Sequence, residues 1–249
     1  VLLQAADAAA LQPQATGEYW YVHWQITDHF ERKPGSGEFV PITYQREDWS
    51  SRERGVMRDE QGAAFKAVED GRTTIDPADV RFENYTIDDT GTPAARTFSG
   101  FTWDELDALP TDPVQLRAAL LAATPSSGHG RNYDLFDSVQ WLLFGSPARP
   151  ELRRALWTVL AGIDEVTLLG GRTDALGRQG TAVEVKFPDW YVTTMTLDPT
   201  TGMLLEWRAT EQDGSRPLTY TLVEQGPRDS APAAQPPLCG PGSVPLVSC

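Results

Sequence analysis

Hydrophobic positions change period along this chain, and the changes mark its parts. Residues 1–12 carry Leu3, Ala6, Ala10 and Leu11 on one side of a helix, which Pro13 and Gly17 end. Over 18–27 the period drops to two: Trp20, Val22, Trp24 and Ile26 alternate with Tyr19, Tyr21, His23 and Gln25. Large side chains on both faces predict a strand covered on both sides. The charged, Gly-containing stretch 28–38 connects to a partner strand at 39–50, and the chain turns again from Ser51 to Gly55. Shorter strands are expected near 55–59 and 63–68, and the Asp-, Thr-, Gly- and Pro-rich region 70–100 is expected to be mostly loop.

A helical block follows. Thr102-Trp103-Asp104-Glu105 has the spacing of a capping box, and Thr111-Asp112-Pro113 puts proline in a first turn. Leu116, Ala119, Leu120 and Ala123 continue that second helix, and a Gly/Ser loop fills 125–130. Residues 131–144 then read as a helix that is apolar nearly all round, with Tyr133, Leu135, Phe136, Val139, Trp141, Leu142, Leu143 and Phe144. Such a helix is buried on several sides, or it packs inside a concave sheet. A further helix spans 150–161, with Leu152, Leu156, Val159 and Leu160 in helical register. From 165 the period returns to two. Strands at 165–171, 180–187, 190–198, 203–210 and 217–225 are separated by turns at 174–177, 188–189, 198–202 and 213–214. This regular spacing predicts an antiparallel meander.

Composition narrows the function. The net charge is −14, and the only lysines are Lys33, Lys66 and Lys186. Phosphate backbones and anionic membrane surfaces are repelled, so no nucleic-acid partner is expected. No stretch approaches the roughly 20 apolar residues of a membrane helix. Val1 opens directly into a helical sequence, so the expected contact with a membrane is through an N-terminal signal or anchor that preceded it. Cys239 and Cys249 are the only cysteines, set in a Pro/Gly-rich tail over 227–249. Two cysteines with none elsewhere read as a disulfide staple, which belongs to an oxidising compartment; two unpaired thiols are the alternative.

Catalytic patterns are missing. His23, His29 and His129 stand in no metal-binding spacing, so neither a metal nor a cofactor is expected. Gly145-Ser146-Pro147 ends a helix instead of forming a strand-to-helix nucleophile turn. The adjacent acids Glu47-Asp48, Asp88-Asp89 and Asp104-Glu105 point apart and read as solvated or capping pairs. Asn84-Tyr85-Thr86 matches a glycosylation triplet, a pattern that chance supplies often. The unusual resource is aromatic: Trp20, Trp24, Tyr133, Phe136, Trp141, Phe144, Trp190 and Trp207 line either a large core or a groove between sheet and helices that binds an apolar ligand.

Three runs of residues carry a resemblance. They are Leu160-Ala161-Gly162-Ile163 leading into Val166-Thr167-Leu168-Leu169-Gly170, then Asp174-Ala175-Leu176-Gly177-Arg178, then Asp198-Pro199-Thr200-Thr201-Gly202. This stretch, best over 101–225, resembles an actinobacterial family of membrane-anchored extracytoplasmic proteins, some of them encoded beside extracytoplasmic-function sigma factors. It is also similar to the LolA/RseB-like class, in which a curved antiparallel sheet wraps over helices and binds lipid or lipoprotein. The shared motifs are turn and packing motifs, so they speak to fold and compartment more than to function.

The expectation is therefore an α+β fold: a curved antiparallel sheet, an incomplete barrel, with helices on its concave face. It forms a single domain over 1–226, with a helical insert at about 102–163 and the meander at 165–225. Two packed subdomains are the alternative. The expected function is a non-enzymatic binding or sensing domain of the cell envelope or secreted space, for a lipid, a lipoprotein or an envelope protein partner. A regulatory interaction module with a solid core, linked for example to sigma-factor signalling, is the second reading. A hydrolase is the third.

Overall fold

The computed structural model of the chain describes residues 1–14, 16–86, 98–187 and 191–235, with residues 84–86 as backbone only. In chain order the elements are α1 (Leu2–Ala10), β1 (Tyr19–Glu31), β2 (Phe39–Ser50), β3 (Arg54–Asp59), α2 (Gln61–Glu69), β4 (Phe82–Thr86), α3 (Trp103–Ala108), α4 (Pro113–Ala123), α5 (Arg131–Gly145), α6 (Pro150–Ala161), β5 (Val166–Thr173), β6 (Gln179–Lys186), β7 (Val192–Asp198), β8 (Met203–Thr210) and β9 (Leu218–Arg228). This is an α+β fold with a nine-stranded antiparallel sheet that does not close into a barrel.

The chain divides into two compact units, Val1–Ala15 with Phe98–Leu222 and Thr16–Thr97 with Val223–Cys249. In the first, the strands run β9-β8-β7-β6-β5, the meander that the period-two pattern predicts. Its turns close where expected: Gly177 N–H donates to Asp174 O at 3.0 Å, Gly202 N–H to Asp198 O at 2.9 Å and Gly214 N–H to Glu211 O at 2.8 Å. The turn at Pro188-Asp189 lies outside the described residues, as does Trp190. The helices start as their sequences dictate. Thr102 and Glu105 form a reciprocal capping box on α3, and Asp112 caps α4 with Pro113 in its first turn.

In the second unit the order is β4-β3-β2-β1-β9, so β9 contributes its first residues to one unit and its last to the other. Two expectations change here. Residues 63–68 are helix, not strand. Ala63, Ala64, Ala67 and Val68 are the buried positions of α2, and a spacing of one, three, then one is the stripe of a helix rich in its best former, alanine. The region read as loop contains a 3-10 turn at Pro77–Asp79 and the strand β4. Being a short edge strand, β4 shows too few alternating positions for period two to stand out.

Candidate functional site

Helix α5 is fixed at both ends by polar contacts. At its start Gly130 has φ 99°, a conformation that favours glycine, and lets the loop fold back. The Asp134 carboxylate then accepts hydrogen bonds from Ser127 N–H at 3.0 Å and Ser127 Oγ at 2.6 Å, and pairs with Arg131 at 2.9 Å. Burial alone would raise the Asp134 carboxyl, but these donors and the Arg131 charge hold it below the ordinary carboxylate value. At its end Ser146 Oγ donates to Leu142 O at 2.6 Å and accepts from Ala148 N–H at 3.3 Å. Ser146 is thus a helix stop, as its sequence context implies. The buried Arg153 of α6 donates to Leu143 O, Ser146 O and Ala148 O at 3.2, 2.6 and 3.1 Å. Burial pushes its guanidinium down to about 10, still well above neutral pH.

Between these anchors, one stripe of α5 lies on the sheet. Tyr133 and Phe136 meet Phe187, just beyond β6, with ring centroids 5.4 and 5.7 Å apart. Two turns on, Trp141 meets Trp207 of β8 at 5.4 Å and Tyr220 of β9 at 5.6 Å, and those two rings are themselves 5.6 Å apart. Phe144 closes that end against Trp141 at 6.2 Å and Tyr220 at 6.4 Å. His129 meets Tyr133 edge-on at 5.2 Å at the other end.

Two polar side chains interrupt this aromatic seam. Gln140 is buried; its Oε1 accepts from Trp207 Nε1 at 2.6 Å and its Nε2 donates to Asp137 Oδ1 at 3.0 Å. Trp141 also hydrogen-bonds Asp137. Desolvation nevertheless raises the Asp137 carboxyl above its ordinary value, despite the donors from Gln140 and Trp141, and the Asp134 charge adds to the rise. Asp137, Gln140, Phe187 and Tyr220 join this seam without having stood among the candidate groove residues. A signal was there, because Asp137 and Gln140 fall at helical spacing on the face of Tyr133, Trp141 and Phe144.

The residues singled out as a groove therefore separate. Tyr133, Phe136, Trp141, Phe144 and Trp207 come together along α5. Trp20 and Trp24 belong to the second unit. There Trp24 sits under the Arg46 guanidinium, 6.0 Å from its ring centroid, and Arg46 pairs with Asp48 at 3.0 Å and Asp59 at 3.6 Å. Those surroundings are ionic. Burial raises the Asp48 carboxyl above its ordinary value in spite of Arg46. His23 Nε2 is hydrogen-bonded with Gln45 Oε1 at 2.9 Å. Among the described residues no group of three or more His, Cys, Asp or Glu is placed to hold a metal ion, and no helix is long and apolar enough to cross a membrane. Cys239 and Cys249, read as a disulfide staple because the chain has no other cysteine, lie outside the described residues.

No family model matches the chain and no curated protein matches it. Solved structures with a similar backbone include MucB of Pseudomonas aeruginosa in its complex with MucA, at 14% identity and a TM-score of 0.34, over 92% of this chain and 57% of that one. The LolA superfamily protein NE2245 from Nitrosomonas europaea aligns over 92% of this chain and 93% of its own, at 9% identity and a TM-score of 0.26. A putative outer membrane lipoprotein-sorting protein domain from Vibrio parahaemolyticus aligns over 90% of each chain, at 8% identity and a TM-score of 0.25. The chain thus spans little more than half the length of the MucB chain it matches. At these scores the function has to be read from the residues themselves.

Proposed function

We propose that this chain is a non-enzymatic binding domain that works outside the cytoplasm, and that the seam under α5 receives an apolar ligand such as a lipid or lipoprotein acyl chain. One observation carries the reading: a half-buried carboxylate and a buried amide, Asp137 and Gln140, are built into an aromatic helix–sheet contact. A contact made only for stability gains more from apolar residues of similar volume at such positions. Here the polar pair regains water if α5 lifts, which offsets part of the cost of parting the rings. An acyl chain entering beneath the helix restores the apolar contact that Trp141, Trp207 and Tyr220 then lose.

Titration with a fatty acid brominated along its chain tests this. Quenching of tryptophan fluorescence is expected, and most of it should vanish in the Trp141→Phe/Trp207→Phe double variant. Absence of quenching, or equal quenching in that variant, would refute the seam as the site. Fractionation of cells producing the full-length protein tests the compartment.

A second reading rests on a different feature. Among the described residues β5 pairs with β6 alone, and its Leu168 and Leu169 are 56% and 50% exposed. An apolar edge strand on a chain of net charge −14 suits an envelope protein partner that adds a strand and carries positive charge. Capture of such a partner should weaken with salt and with Leu168→Lys. Capture indifferent to both would remove this reading.

A further inference from the structure

After β9 the chain does not leave the second unit; it crosses it. The Arg228 guanidinium lies 4.6 Å from the Tyr21 ring centroid on β1. Ala231 and Ala234 then pack on a cluster of Tyr19, Tyr21, Trp49 and Val56, joined by Phe82. Finally Gln235 N–H donates to Phe82 O on β4 at 2.9 Å. The strand order β9-β1-β2-β3-β4 makes this a crossing of four strand gaps, about 19 Å at the usual inter-strand spacing. Seven residue steps separate Arg228 from Gln235, about 22 Å in polyproline II geometry. The segment is thus close to fully drawn out. Its contacts have the matching period: Ala231 and Ala234, three apart, face the sheet, while Ala233 between them is exposed. Three residues per turn is the repeat of polyproline II, and Pro232 is preset for it.

The surface beneath is an aromatic row laid across the strands. Tyr21 and Trp49 are cross-strand partners with centroids 4.8 Å apart, Trp49 is opposite Val56 on β3, and Phe82 is 6.0 Å from Trp49. The row is held from its rim. Tyr21 Oη donates to Glu47 Oε2 at 2.8 Å, and Arg54 Nε and Nη2 donate to Tyr19 Oη at 2.9 and 2.6 Å. A rigid aromatic row that grips an extended proline-containing chain is a recurring mode of peptide recognition. The grip is light: the gripping side chains are alanines, and among the described residues one backbone hydrogen bond, Gln235 N–H to Phe82 O, latches the end.

We infer that this aromatic row is a docking site for extended, proline-containing chain, and that residues 229–235 are its own displaceable occupant. The occupant holds the row at the high effective concentration of a short tether, so a competing segment must bind better than two alanines and a proline. This site shares no residue with the seam under α5, and either can fail without the other.

The test uses the full chain with Ala231→Asp and Ala234→Asp, and Ala233→Asp as control. Hydrogen exchange at the Gln235 amide should accelerate at least tenfold in the double variant and stay unchanged in the control, with circular dichroism unaltered in both. A peptide of sequence Asp-Ser-Ala-Pro-Ala-Ala-Gln, added to millimolar concentration, should shift the Trp49 indole and Tyr21 resonances of the double variant and not those of the parent. No shift in the folded double variant overturns the docking site. Equal shifts in the parent, or unchanged exchange at Gln235, overturn the occupancy. Loss of folding in the double variant also overturns it, since the segment would then be core and not occupant.

Discussion

Gly202 is the tightest glycine of the first unit. A Cβ there would stand 2.4 Å from Ala5 O and 2.7 Å from Ala9 Cβ, and its φ is +68°. Its carbonyl accepts Trp157 Nε1 at 2.9 Å, so one residue joins α1, α6 and the β7–β8 turn. Gly202→Ala should cost about 3 kcal/mol, from a clash with backbone plus left-handed strain, as measured by urea unfolding. Asp137 makes a prediction in pH. Its folded-state value is raised, so the native state holds the proton more tightly than the unfolded chain does. Stability from this group falls as pH rises from the ordinary carboxylate value, about 4, through the raised value, and the loss is complete above it. Asp48 slopes the same way, so the informative quantity is the difference between parent and Asp137→Asn. The variant should gain on the parent as pH rises through that window, and pH-dependent thermal melts will show whether it does. Glycine before Met203 was legible in the sequence as a turn; that it also receives α1 and the Trp157 indole was not, because those contacts join residues far apart in the chain.

Among the elements, α5 depends on a residue it does not contain. Arg153 of α6 satisfies three carbonyls around the α5–α6 junction, and it is buried while doing so. Arg153→Met keeps the volume but leaves those oxygens without this donor, and should cost about 3 kcal/mol in chemical denaturation. If the cost is under about 1 kcal/mol, water has replaced the guanidinium and the cap is not essential. The ends of α3 and α4 could be read directly, since Thr102–Glu105 and Asp112-Pro113 are local codes. Helix α2 could not, because a run of small residues between two strands fits either period until its buried stripe is seen.

For the molecule as a whole, the charge sets the dominant dependence on solution conditions. At net −14 the folded chain repels itself, so screening should stabilise it. The melting temperature should rise between about 0.02 and 0.2 M sodium chloride, one Debye regime to the next; a fall would mean that ion pairs such as Arg58 with Glu47 and Arg46 with Asp48 outweigh the repulsion. The class of fold, the meander with its turns at 174–177, 198–202 and 213–214, and most helix starts were legible along the chain, because periodicity and capping are properties of neighbouring residues. So was the surplus of aromatic side chains. Their distribution emerges on folding: Trp141 and Trp207 close with Tyr220 under α5, Trp24 stands in an ionic patch, and Tyr21 and Trp49 lie beneath residues 231–234. The physical reason is that strand register and helix placement bring together residues scores of positions apart, and no local pattern in the chain encodes which of them will meet.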